Sequence, residues 1–161
     1  MRRVVITGMG TVNALAHDVP GFRAALMAGQ SGIAPLGFRD AERLSIRIGA
    51  EVRDWDPLVH LPAARLPLYD RVTQYALVAG AEAMAMAGLP AGLGARGGVI
   101  LGTAAGGIGT WEDSYRAVFA EGKNRVSPLT VPRLMQNAAA SHLSIIWGLT
   151  GARRGLKHSR M

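Results

Sequence analysis

Gly97 to Asp113 reads GGVILGTAAGGIGTWED. Its apolar run, Val99-Ile100-Leu101, is too short for a helix, is largely β-branched and has glycine on both sides. The run therefore predicts a fully buried strand. Gly102 opens a turn containing Gly106, Gly107 and Gly109. There the backbone can take positive φ or approach a neighbour that a Cβ would exclude. A strand that delivers a glycine-rich turn into a helix start is a common way for α/β folds to build one side of a site.

The chain has 161 residues, 49% of them hydrophobic, which suffices for a compact domain. Cysteine is absent, which excludes a disulfide framework, a thiolate metal site and a cysteine nucleophile within these residues. No apolar run approaches the roughly 18 residues of a membrane span. The apolar stretch after Arg2 and Arg3 is too short for a signal sequence, so a cytoplasmic location without membrane partners is expected. The formal charge is +7, but Arg153, Arg154, Lys157 and Arg160 in the last eleven residues supply four of those charges. The other 14 cations face 11 acids without forming a stripe, and the aromatics are not interleaved with them. No nucleic-acid partner is expected.

Outward from the central stretch, Arg3 to Thr7 reads as a first buried strand and Gly8-Met9-Gly10 as the turn leaving it. Asp18 can cap a helix with Pro20 in its first turn, an apolar stripe at Phe22, Ala25 and Leu26, and a stop at Gly29. Residues 30 to 69 read as irregular, with a short half-exposed strand around Ile46, Ile48, Ala50 and Val52. A helix begins at Asp70, carries Val72, Tyr75, Ala76, Ala79, Ala83 and Met86 at helical spacing, and ends at Gly88 and Pro90. Its small residues Ala79, Gly80, Ala81 and Ala83 allow close packing. Beyond the central turn come a helix over about Trp111 to Ala120, an extended passage over 127 to 132, and a final helix over about Arg133 to Trp147 stopped by Gly148. The fold class is α/β with an incomplete sheet, as at the start of a larger domain.

Gly8-x-Gly10 is two-thirds of a dinucleotide fingerprint, but Asn13 holds the third glycine position, so a tight turn is the ordinary reading. Gly102-x-x-x-x-Gly107 has phosphate-loop spacing but continues Ile108-Gly109, without the lysine that reaches a phosphate. His17, His60, His142 and His158 lack metal-ligand spacing. Ser141 and His142 are adjacent on a helix and point apart, so they cannot pair as nucleophile and base. Asp70, Glu82, Glu112 and Asp113 suit helix caps, first turns or solvated faces. No catalytic residue, metal site or cofactor is expected in this chain.

Five stretches carry a family resemblance: RRVVITGMGTVNAL, AALMAGQSGIAPL, YDRVTQYALVAGAEAMAMAGL, GGVILGTAAGGIGTWEDSY and SPLTVPRLMQNAAASHLSIIWGLTG. In this order they resemble the N-terminal part of β-ketoacyl-acyl-carrier-protein synthases, the elongating condensing enzymes of fatty acid and polyketide synthesis. The resemblance implies the N-terminal portion of a thiolase-like, layered α-β-α-β-α fold. It also implies a homodimer, an acyl carrier protein partner, and decarboxylative condensation of acyl and malonyl thioesters through a cysteine, with two histidines at the enolate. Carried onto this chain, Gly107, Ile108 and Thr130 match the acyl pocket, and Leu129 and Thr130 match the dimer contact. Core packing is the alternative role for Ile108.

The resemblance covers residues 2 to about 151, giving an incomplete half-domain over 1–151 and a divergent basic tail over 152–161. In the family a buried strand follows and leads to the cysteine elbow. Here GARRGLKHSRM follows, whose cations are costly in a central strand. The expectation is a fragment cut off by a frame change or early stop and inactive alone. The alternative is a non-catalytic partner that keeps the acyl-pocket side and docks an intact ketosynthase.

Overall fold

The computed structural model describes residues 3 to 151 and 153 to 156. Two compact units divide the chain, Met1–Asp56 with Val78–Gly88, and Pro57–Leu77 with Leu89–Met161.

In the first unit, helix α1 (Val19–Met27) starts as expected: the Asp18 side chain accepts from the Gly21 N–H at 2.7 Å, and Gly29 takes φ +66° beyond its end. Strands β1 (Ile33–Pro35) and β2 (Ile48–Ala50) pair antiparallel, with Ile33 opposite Ala50. The expected half-exposed strand thus spans 48–50, with Ile48 and Ala50 outward and Gly49 inward. Helix α2 (Arg71–Ala87) contributes its second half to this unit, and Gly88 ends it at φ +60°. Gly8 and Gly10 lie against its backbone, where a Cβ would come within 2.1 Å of the Ala83 carbonyl and 1.9 Å of the Ala79 carbonyl. The small residues at 79 and 83 serve this approach, whereas Ala81 and Met86 are exposed.

The expected first strand is not formed. Arg3 to Thr7 joins no ladder among the described residues, and Val4 is 96% exposed. A β-branched run becomes a strand only where a neighbour takes its N–H and C=O groups.

In the second unit, β3 (Val99–Gly102) pairs in parallel with β4 (Arg153–Leu156), Val99 beside Arg153. Val99 and Leu101 pack towards a core built on Tyr69, Leu77 and Leu143, with Leu61, Leu68 and Trp147 around it. Ile100 faces outward and is 68% exposed, so β3 is buried on one face rather than fully. Residues 153 to 156, expected to be costly in a central strand, thus form one beside β3. Residues 152 and 157 to 161 of the basic tail lie outside the described residues.

Helix α3 (Ile108–Tyr115) starts three residues earlier than expected and runs into a π-helical turn over Arg116–Ala120, closed by Gly122 at φ +65°. The expected last helix is two: α4 (Thr130–Leu134) and α5 (Ala138–Trp147), with extended Met135 between them. Pro132 sits in the first turn of α4, where its missing N–H costs no helix bond. The break frees the Leu134 carbonyl, which accepts from the Gly107 N–H at 3.2 Å. Gly148, at φ +61°, ends α5 as expected.

Candidate functional site

The glycine turn between β3 and α3 is filled from behind by backbone and by one carboxylate. A Cβ on Gly106 would stand 2.6 Å from the Leu134 carbonyl oxygen, and the residue has φ +71°. A Cβ on Gly107 would stand 2.5 Å from the Arg133 carbonyl oxygen and 3.0 Å from the Asp70 carboxylate. These two glycines are required by close approach, as the sequence predicts for the turn.

Asp70 is 4% exposed. Its Oδ1 accepts from the Val72 N–H at 3.1 Å, in the first turn of α2. Its Oδ2 accepts from the Thr110 N–H at 2.7 Å and the Thr110 hydroxyl at 2.6 Å. Thr110 is the third residue of α3, whose N-cap Gly107 has no side chain to offer. One carboxylate therefore caps two helices, satisfying orphan N–H groups and lying at the positive ends of both dipoles. The sequence marks Asp70 as a cap of α2, but the second cap joins residues 40 apart and leaves no local signal.

The turn so held presents Ile108, which is 61% exposed at the first position of α3. Trp111, Tyr115 and Phe119 continue as an exposed stacked series, with ring centroids 6.0 and 5.5 Å apart. Leu129, the N-cap of α4, and Thr130, its first residue, are half-buried. Thr130 comes within 3.5 Å of the Ser114 hydroxyl of α3. Thr130 lines a cavity of about 250 Å³ whose lining does not include Ile108.

His142 on α5 stands edge-on to Tyr69, ring centroids 4.8 Å apart. Burial, and then the Arg65 guanidinium, hold its imidazole below the ordinary histidine value.

The family model for the N-terminal domain of β-ketoacyl synthase matches residues 1–155. The chain belongs to the β-ketoacyl synthase family. The 3-oxoacyl-[acyl-carrier-protein] synthase 2 of Coxiella burnetii is 36% identical over 152 residues, covering 93% of this chain and 37% of that protein. The chloroplastic 3-oxoacyl-[acyl-carrier-protein] synthase I of Hordeum vulgare is 31% identical over 157 residues, covering 93% of this chain and 34% of that one. Among solved structures, the ishigamide ketosynthase/chain length factor superposes with TM-score 0.82 at 27% identity, covering 97% of this chain and 40% of its own. A complex of a type II PKS acyl-carrier protein with its ketosynthase superposes with TM-score 0.73 at 21% identity, covering 96% and 41%, and shows the shared fold. The expected α/β class and thiolase-like ketosynthase fold are thus borne out, for a chain spanning 37% of the Coxiella relative.

Proposed function

We propose that this chain forms the acyl-contacting side of a 3-oxoacyl-[acyl-carrier-protein] synthase, for fatty acid or polyketide elongation by decarboxylative condensation, in the cytoplasm. The observation that carries this is an exposed Ile108 on a turn fixed by Gly106, Gly107 and the buried Asp70. An apolar side chain on a rigid turn can grip an acyl chain at little ordering cost. In this reading Gly107, Ile108 and Thr130 contact the acyl group. Leu129 and Thr130 meet a second subunit, and acyl carrier protein delivers the substrate. The boundary at residue 151 between ketosynthase sequence and basic tail belongs to the same proposal.

These 161 residues hold no cysteine, so alone they lack the nucleophile for acyl transfer. Supplied with acyl and malonyl carrier protein, the purified chain forms no 3-oxoacyl product; turnover above background refutes this. Ile108→Glu weakens binding of a long-chain acyl pantetheine thioester at least tenfold, about 1.4 kcal/mol, in a Trp111 fluorescence titration. Unchanged binding removes Ile108 from the site.

The exposed Trp111, Tyr115 and Phe119 series favours a second reading, a non-catalytic subunit docked on an intact ketosynthase. Co-purification with such an enzyme, lost in Phe119→Ser, supports it; independent migration of the two opposes it.

A further inference from the structure

We propose that Met86 is an oxidation-sensitive latch: conversion of its thioether to a sulfoxide strengthens the hold of α2 on the Gly8-Met9-Gly10 turn. The latch lies within the first unit and is independent of the acyl-contact reading above. The Met86 Sδ accepts from the Met9 N–H at 3.4 Å. One helical turn earlier, the Glu82 carboxylate accepts from the Thr11 N–H at 3.0 Å. Two side chains at i and i+4 on α2 thus hold alternate N–H groups of the chain that crosses it. The backbone around Met9 is fixed by the close approach of Gly8 and Gly10 to the Ala83 and Ala79 carbonyls. The direction of the Met9 N–H is set by that docking, and Met86 meets it.

The two acceptors differ in strength. A carboxylate accepts strongly, whereas a thioether sulfur is a weak acceptor. Met86 is 50% exposed, so a peroxide reaches its sulfur from solvent and the side chain has space for one more oxygen. In that reaction a sulfur lone pair attacks one oxygen of hydrogen peroxide. The S–O bond forms, the O–O bond breaks, the sulfur is oxidised by two electrons and the peroxide leaves as water. The new oxygen carries partial negative charge, which the sulfur did not. The flexible side chain withdraws its sulfur, and the oxygen takes the Met9 N–H at an ordinary distance of about 2.7–3.2 Å. Oxidation thereby replaces the weaker of the two acceptors by one closer in kind to Glu82.

The test is hydrogen peroxide treatment of the full chain carrying Met9→Leu, which keeps the residue 9 N–H and removes the thioether beside it. Peptide mass mapping reads oxygen addition at Met86. The residue 9 amide proton is then expected to move downfield and to exchange about threefold more slowly. Methionine sulfoxide reductases return both values. In Met9→Leu with Met86→Leu, the exposed Met27 is still oxidised and the residue 9 amide stays where it was. A residue 9 amide that is unmoved, or exchanges faster, once Met86 carries oxygen overturns the proposal. So does an equal response in the chain lacking Met86, or a Met86 that peroxide leaves unoxidised.

Discussion

The two glycine turns of the molecule are built alike but stand behind different partners. In the first unit an apolar run at Val4 to Ile6 leads to Gly8 and Gly10, which lie on the backbone of α2. There the Glu82 carboxylate accepts from the N–H groups of Thr11 at 3.0 Å and Val19 at 2.7 Å. In the second unit the run at Val99 to Leu101 leads to Gly106 and Gly107, which lie on α4, and Asp70 accepts from Thr110. Both turns are docked and both helix starts are capped by a carboxylate distant in sequence. Only the second apolar run is in a ladder, beside β4. Docking of a glycine turn is thus satisfied by one helix, whereas a strand needs another strand.

Substitutions at the turns break the shared part of this comparison and have the largest effects. Gly107→Val and Gly10→Val each force a branched side chain into a backbone carbonyl at 2.5 and 1.9 Å. Each is expected to cost about 3 kcal/mol or more in urea denaturation. Gly102, with open space where its Cβ would be, is the control: Gly102→Ala stays within about 0.5 kcal/mol.

Next come the carboxylates. Asp70→Ala strands the Thr110 N–H and hydroxyl in the interior, with an expected loss of about 2–3 kcal/mol. Glu82→Ala, at a half-buried residue whose N–H partners water can reach, loses about 1 kcal/mol. Equal losses would show that burial does not separate the two caps.

The runs themselves sharpen the contrast further. Leu101→Ala removes side-chain packing from the core face of β3 and costs about 2 kcal/mol. Val4→Ala, at an exposed position, stays within about 0.5 kcal/mol.

The smallest effect is the pH dependence contributed by His142. Its folded-state value lies below the ordinary 6.5 because burial, and secondarily Arg65, disfavour the imidazolium. On acidification the unfolded chain therefore takes up this proton first. Stability contributed by His142 is present above about 6.5 and is lost as the pH falls towards its folded-state value. Melting temperatures between pH 7.5 and 5 should decline less in His142→Gln than in the unaltered chain.

Features encoded within a few residues were legible in the sequence: the Asp18 cap, the Gly88 and Gly148 stops, and the close approach at Gly106 and Gly107. Features that depend on distant partners were not. Val4 to Ile6 and Val99 to Leu101 have the same strand signature, and nothing local tells which one finds a neighbour. The division of the last helix at Met135 goes with the Leu134 carbonyl accepting from the Gly107 N–H, a contact spanning 27 positions. Of the candidate site, Ile108 and its turn could be read directly. The dual role of Asp70 appears only in three dimensions.

Amide hydrogen exchange on the intact chain tests most directly whether a paired strand and a buried carboxylate cap set the second turn apart. Protection of the Thr110 and Gly107 amides, with Val4 to Ile6 exchanging at the rate of an unstructured peptide, is the predicted result. Equal protection of both runs, or a Thr110 amide that exchanges freely, would contradict it.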